Sequence, residues 1–495
     1  MSRCPTGALF ALSIVLLAGC ATPVDRPPAT LPAAAQAAAW QAPRPPADLP
    51  SDPGAARPAG WPLFDDPLLN RLVEAAQAGS PNLAAAQARI ARARAGLAGS
   101  EAQGLPQVEA NASAQRSRSL PASGGSAAGA GGFGFGGVSN SRQIGLQSSW
   151  EIDLFGGVAA SVRAAAARLR HAEAGWHAAR VALAAEVGTA YISLRACEAQ
   201  LVQTEADARS REATARLSEQ SARAGFTAPA DAALARAGAA QAASAVRAQQ
   251  AQCDTLVKGL VELSDWTEPA LRRELAEGAG RLPQTPGLGP LPLPAELLGQ
   301  RPDVDAARAA VEAAAADADL TRRDEKPRLS LGGSIGRSVT RGGGFDAEGG
   351  VWSLGPLTLS LPLFDGGRRR AASAGAEAAY DEALAQLQGT LRQALREVET
   401  ALVALDASAA REPALQAAAE GFEAARRATE ARQRGGLASL LDLETARRNA
   451  LQARGALIEV QRERASAWIT LYRSLGGGWR PGEAPRAAAR AGTPD

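Results

Sequence analysis

SPNLAAAQARIARARAGLAGSEAQGLPQVEANAS, residues 80–113, is replayed later in the chain by RPDVDAARAAVEAAAADADLTRRDEKPRLSLGGS, residues 301–334. Pro81 falls on Pro302, Ile90 on Val311, Pro106 on Pro327 and Ser113 on Ser334, all at one constant offset. The echo resumes after a loop of different length. Phe155-Gly156-Gly157 resembles Phe364-Asp365-Gly366-Gly367, and Gly225 and Asp231 recur as Gly436 and Asp442, now at a slightly shorter offset. Each half therefore reads helix, strand, loop, strand, long helix, turn, helix. A repeat of this length decides architecture before any single motif does.

Each half changes its hydrophobic period. In SRQIGLQSSWEIDLF, Ile144, Leu146, Ser148, Trp150, Ile152 and Leu154 alternate with polar residues, as a strand with one apolar and one wet face requires. Val108, Ala110, Ala112 and Ala114 give a weaker partner strand over Gln107–Arg116. The second half repeats the pair with Leu329 and Leu331, then VWSLGPLTLSLPLF. There the apolar parity changes from Trp352 and Leu354 to Leu357, Leu359, Leu361 and Leu363. A bulge or kink at Gly355-Pro356 accounts for that slip.

Long helices follow. Val162, Leu169, Trp176 and Leu183 are spaced by seven, as are Val187, Leu194 and Leu201. Leu384, Leu391, Val398 and Leu405 repeat this, with a second seam at Leu387, Leu395 and Leu402. Sustained heptads mean coiled-coil packing, and two seams mean neighbours on both sides. Pro413 is expected to kink or break the second long helix.

The beginning of the chain carries a targeting segment. Arg3 precedes the short apolar run Ala8–Leu17, which is too short to span a bilayer, and Leu17-Ala18-Gly19-Cys20 follows. We read 1–19 as a signal peptide and 20–60, rich in Pro and Ala, as a tether. Residues 61–292 form the first repeat, 293–480 the second, and 481–495 a disordered tail. The 53 basic and 51 acidic residues are interspersed, which excludes a nucleic-acid footprint. His171 and His177 fall on different faces of a helix that turns about 100° per residue, so they form no helical metal site. No nucleophile–base set or phosphate loop stands out, so neither an enzyme nor a cofactor is expected. Cys197 and Cys253 flank the first hairpin turn, at Phe226–Ala228, at similar distances. That puts them on adjacent helices near the reach of a disulfide, with bonding left open.

Four strands cannot stand alone in a membrane, because both sheet edges would be unpaired in hydrocarbon. Two chains would give eight strands, a barrel filled by its own side chains; three give twelve, which leave a lumen. The fold expected is mainly α with a small membrane β part. Long helical hairpins form an α-barrel, and four strands per chain enter a trimeric twelve-stranded β-barrel.

With these residues in hand, the chain resembles the outer-membrane factor family of bacterial efflux systems, which are TolC-like, and within it the NodT-type lipoprotein branch. The resemblance rests on Trp61–Leu72, LPAELLGQRPDV at Leu293–Val304, WSLGPLTLSLPLFDGGRRRA at Trp352–Ala371 and GGLASLLDLETA at Gly435–Ala446. The Leu17–Cys20 segment resembles a lipobox, which implies a covalent lipid on Cys20, and Ala21 after it implies the outer membrane. The resemblance also implies a homotrimeric, passive conduit for drugs, toxic compounds or metal ions. Its partners would be a periplasmic adaptor (membrane-fusion) protein, an inner-membrane pump of the resistance-nodulation-division type and outer-membrane lipid. Acidic residues at the second hairpin turn line the family's periplasmic gate. Asp442 matches the first of these, with an N-cap as its alternative role. The second falls at Thr445, and Glu444 is the candidate to substitute for it, although it lies about 200° round the helix from Asp442. Asp231, the counterpart in the first half, is read as a cap or packing residue. The rival reading is a trimeric coiled-coil surface or structural lipoprotein without transport.

Overall fold

The computed structural model describes residues 39–43, 64, 66–119, 137–284, 294–342 and 346–482. The signal segment 1–19, Cys20, most of the 20–60 tether and the tail from 483 lie outside the described residues. The duplication is carried into matching helices. α1 is Pro67–Gly79, and α2, Pro81–Ala102, matches α7, Pro302–Arg323, at 22 residues each. α3, Gly157–Arg223, matches α8, Arg368–Arg434, at 67 residues each. α4, Pro229–Ser264, matches α9, Leu440–Ser474. Two further helices have no such match: α5, Glu268–Ala276, near the end of the first repeat, and the short α6, Pro294–Leu297, at the start of the second.

The described residues fall into two compact units, and each draws on both repeats. The first, from 91–169 and 309–385, holds β1, Gln107–Ser119, β2, Gly137–Ile152, β3, Arg328–Gly342, and β4, Ala347–Ser360. They form one antiparallel sheet in the order β1-β2-β3-β4, so β2 and β3 join the repeats. Register places Ala110, Leu146, Ile335 and Trp352 in one cross-strand row, and Ile152, Leu329 and Leu359 in another. On the other face run Glu109, Gln147, Ser334 and Ser353. The parity slip is a bulge: Leu331 opposes Leu357 while Gly333 opposes Leu354, so Gly355 and Pro356 together oppose Gly332. Gly355 has φ 106°, a conformation that favours glycine. The bulge returns Trp352, Leu354, Leu357 and Leu359 to one face, and all four are exposed within the chain.

Two strands end earlier than their alternation predicts. β2 stops at Ile152, because Asp153 turns to accept from the Ala159 N–H (2.9 Å) and leaves Leu154 outside the sheet. β4 stops at Ser360, the partner of Arg328 at the start of β3. Leu361, Leu363 and Phe364 have no strand to pair with, and Pro362 has no N–H to offer.

The second unit, from 39–90, 170–308 and 386–482, is helical apart from its turns and connecting segments. Trp176, Val187 and Leu194 are buried, as are Leu387, Leu391, Leu395, Val398, Leu402 and Leu405. Leu183, Leu201 and Leu384 are half-buried. Asp66 caps α1 by accepting from Leu68 N (3.0 Å) and Leu69 N (3.1 Å), and its other oxygen takes the Tyr191 hydroxyl (2.8 Å). Burial pushes the Tyr191 phenol above its ordinary pKa, so it stays a donor. Arg195 donates to Tyr191 Oη (3.0 Å) and to the Leu275 carbonyl at the end of α5 (2.8 Å). Arg301, from the RPDV motif, does the same for α9. It donates to the Ser474 carbonyl (2.8 Å) while Asp303 and Glu397 balance its charge. Part of the tether is held too: Trp40 is buried, and the Gln41 and Ala42 N–H groups donate to Glu399 (2.9 and 2.7 Å).

Pro413 does not break α8, which runs through it to Arg434. The missing hydrogen bond is offset by ties on the preceding residues, Arg411–Glu463 (2.7 Å) and Glu412–Arg464 (2.7 Å), which fasten α8 to α9. Cys197 on α3 and Cys253 on α4 have Cα atoms 5.6 Å apart, and their sulfurs are bonded. The two are 56 residues apart in sequence, and closing a loop of that length constrains the unfolded chain by about 4 kcal/mol. Peptide mapping without reductant should return the Cys197 and Cys253 peptides as one linked species, and reduction should lower the unfolding midpoint. Two free thiols would contradict the bond.

Candidate functional site

Both hairpin tips are built by the same local rule. At the first, Gly225 (φ 80°) lets Phe226 N reach back to the Ser221 carbonyl (2.9 Å). At the second, Gly436 (φ 70°) lets Leu437 N reach the Arg432 carbonyl (2.8 Å). A left-handed residue that satisfies the last carbonyls of a helix is the Schellman ending. The chain then re-enters a helix two residues further on, and here the repeats diverge. α4 starts after Ala228, which has no side-chain acceptor. α9 starts after Ser439, whose hydroxyl accepts from Asp442 N (3.1 Å). The Asp442 carboxylate accepts from Ser439 N (2.9 Å) and Ser439 Oγ (2.7 Å), closing a capping box.

Asp442 is therefore not the N-cap, as its alternative reading had it; it is the third residue of α9, because the helix begins at Leu440. Asp231 is likewise in the first turn of α4 and is not its cap, where a negative charge still suits the helix dipole. The Ser439 hydroxyl, then the Ser439 N–H, hold the Asp442 carboxyl below the usual aspartate range, and Arg432 adds to this. Asp442 is exposed, so at neutral pH it presents a fixed negative charge at the tip.

Glu444 and Thr445 do different things. Thr445 is exposed and its hydroxyl donates to the Leu441 carbonyl (2.8 Å). Glu444 turns inward, bridging Arg211 of α3 (2.7 Å) and Arg447 of its own helix (2.9 Å). Arg211 also holds Asp207 (2.7 Å), and the buried Arg447 donates to Thr214 Oγ1 (2.7 Å). The chain Asp207–Arg211–Glu444–Arg447–Thr214 thus fastens α9 to α3 behind the exposed Asp442. Sequence reasoning missed Arg211, Thr214 and Arg447, since their partners lie in the other repeat and each looks like any polar residue on a helix. Ser439 was missed as well, although a serine three residues before an acid is a capping-box signal that could have found it. Among the described residues no group of His, Cys, Asp and Glu could hold a metal ion, and no helix is long and apolar enough to cross a membrane.

The family model of the outer membrane efflux proteins matches residues 72–264 and 293–477. OprJ of Pseudomonas aeruginosa, an outer membrane protein, is 36% identical over 356 residues, 70% of this chain and 72% of its own. OpmQ of Pseudomonas putida, a pyoverdine export outer membrane protein, is 30% identical over 485 residues, 95% of this chain and 97% of its own. The crystal structure of the outer membrane protein VceC of Vibrio cholerae superposes with a TM-score of 0.70 at 28% identity, covering 84% of this chain and 98% of that one. The chain belongs to the outer membrane efflux protein family. It is an outer-membrane efflux channel, a passive conduit and not an enzyme.

The network behind the tip yields a test. Glu444→Ala leaves Arg447 buried with Thr214 as its remaining side-chain partner, which should cost about 3 kcal/mol. A double-mutant cycle between Arg211 and Glu444 should show coupling of about 1 kcal/mol or more. Asp442→Asn, on the exposed side, should move the unfolding midpoint far less. An unchanged midpoint in Glu444→Ala would remove the network from the account.

Proposed function

We propose that three copies of this chain close their sheets into one twelve-stranded barrel in the outer membrane, and that their helical hairpins form an α-barrel in the periplasm. The observation that carries this reading is the four-stranded sheet, with an apolar band on one face from the row of Ile152, Leu329 and Leu359 to that of Ala110, Leu146, Ile335 and Trp352, and with the outer edges of β1 and β4 unpaired among the described residues. In hydrocarbon each unpaired backbone group costs several kcal/mol, so the sheet must find strands elsewhere. Three copies supply twelve strands and a lumen, whereas two supply a filled barrel.

In this reading Cys20 carries the covalent lipid and anchors the tether. A periplasmic adaptor and an inner-membrane pump of the resistance-nodulation-division type deliver small molecules to the conduit: drugs, toxic compounds or metal ions. The pyoverdine export role in the name of OpmQ is in keeping with a small-molecule cargo. The gate lies at the second hairpin tip, where one Asp442 from each copy forms a ring of negative charge. Its exposure and its depressed pKa support this assignment. The repeats span 61–292 and 293–480.

Two measurements test the reading. Intact mass of the mature protein should show loss of residues 1–19 and acyl chains on Cys20, and an unmodified Cys20 would refute the anchor. In a planar bilayer the isolated protein should rest in a low-conductance, cation-selective state. Asp442→Ala should weaken the selectivity and relieve block by divalent cations. Because the depressed pKa keeps Asp442 ionised at neutral pH, selectivity should be full there and fade only as pH falls below the ordinary aspartate value of about 3.9. A folded Asp442→Ala trimer with unchanged selectivity and block would place the gate elsewhere.

A further inference from the structure

The apolar face of the sheet ends in arginines. Beyond the row of Ala110, Leu146, Ile335 and Trp352, the same face continues with Ala112, Ile144, Arg337 and Gly350, then with Ala114, Arg142, Val339 and Glu348. Arg116, Asn140 and Arg341 form the row after that, and Arg118 then opposes Val138. Arg116, Arg118, Arg142, Arg337 and Arg341 are all exposed. The opposite, wet face of the same rows holds Ser113, Gln115 and Ser117 on β1, Gln143, Ser141 and Ser139 on β2, and Ser338 and Thr340 on β3, with no charge among them. Arginines that served a lumen would stand on that wet face.

Little on the protein neutralises the cluster. Glu348 pairs with Arg337, and Asp346 in the β3–β4 turn accepts from the Gly342 N–H (3.0 Å). Arg116, Arg118, Arg142 and Arg341 form no ion pair among the described residues. Residues 120–136 and 343–345, which join the strands at this end, include no Asp or Glu. Register also crowds the charges. Asn140 lies between Arg116 and Arg341 in its row, and Arg142 is its next neighbour along β2 on the same face. With strands about 4.8 Å apart, the three arginine Cα positions fall within about 10 Å of one another. Like charges that close repel unless an anion lies between them.

We propose that this cluster binds the phosphate groups of the glycolipid that forms the outer leaflet of the membrane. The inference rests on the reading of the sheet as part of a barrel whose apolar face meets lipid. All four helical connections leave the sheet at its other end, by Gln107, Ile152, Arg328 and Ser360, so in that reading the arginines stand on the cell-exterior side. At about 3.4 Å per residue and a tilt of about 40°, β2 rises about 26 Å from Ile152 to Arg142, close to the height of an outer-membrane barrel's apolar band. Arg142 then reaches headgroup depth, where an arginine on the lipid face costs little. Guanidinium–phosphate pairs are charge-assisted and bidentate, and a glycolipid with two phosphates offers partners to more than one arginine. Closure of the barrel leaves this face open. Strands join through their edges, Asn140, Arg142 and Arg341 lie on the inner strands β2 and β3, and another copy's β4 would meet β1 at its edge.

The test uses the full-length trimer in phosphatidylcholine vesicles, with bisphosphorylated lipid A as the probe and the lipid retained after extraction counted by native mass spectrometry. The wild type should retain bisphosphorylated lipid A in preference to its dephosphorylated form and to phosphatidylglycerol. Arg142→Gln with Arg341→Gln should lower that retention by about twenty-fold, roughly five-fold for each arginine. Gln143→Ala, on the wet face of the same strand, should leave it unchanged. The double variant should keep the conductance and ion selectivity of the wild type, because its altered side chains lie outside the lumen. Equal retention by the wild type and the double variant, equal retention of the phosphorylated and dephosphorylated forms, or phosphatidylglycerol held as firmly as lipid A would each overturn the proposal. Wild-type protein that inserts and conducts but retains no lipid A defeats this site alone. An ion selectivity altered in the double variant, with lipid retention unmoved, would put the arginines in the lumen and defeat the membrane reading beneath it.

Discussion

A strand edge in hydrocarbon leaves N–H and C=O groups that no solvent can satisfy. That single cost organises the chain. The two repeats each contribute one hairpin, and β2 and β3 pair across the repeat boundary, which reduces the open edges of the sheet from four to two. β3 and β2 approach so closely that a side chain on Gly336 would stand 2.5 Å from the Ile144 carbonyl oxygen. The β4 bulge serves the same end, because without it half of that strand would turn its leucines to the wet face. The remaining edges, β1 and β4, are what a second copy must satisfy.

Away from the sheet, the equivalent problem is the helix end. Each helix terminus leaves carbonyls or N–H groups unpaired, and those buried inside a bundle need partners. The second unit uses arginines for this: Arg195 takes the Leu275 carbonyl and Arg301 the Ser474 carbonyl, each with carboxylates to balance its charge. Glu444 and Arg447 form a comparable network near the tip of the second hairpin. The alanine-rich surfaces between these points allow close helix packing but specify little, so polar clusters fix the register.

The duplication, the four strands, the phase slip at Gly355-Pro356 and the long heptad seams were all legible in the sequence, because each is a periodic signal sustained over many residues. Strand ends were not: Leu361 and Leu363 keep the alternation of β4, but the partner strand begins at Arg328 and offers nothing beyond Ser360. Pro413 was read as a kink or a break because local propensity disfavours it; the helix runs on through it, with tertiary ties on Arg411 and Glu412 beside it. At the hairpin tip, Asp442 stood out, whereas its supporting network did not. Arg211 and Glu444 are brought together by the fold alone.

Closure of the sheet by other copies is the central claim, and cysteine cross-linking at its edges tests it most directly. A scan would place one cysteine in β1 between Val108 and Arg118 and one in β4 between Gly349 and Thr358, in a background with Cys197 and Cys253 replaced. If three chains share one barrel, some pairs in that scan should oxidise to a covalent trimer in the membrane, with single-cysteine controls staying monomeric on denaturing gels. A scan in which every pair yields only monomer or dimer, from protein that still inserts, would contradict the account.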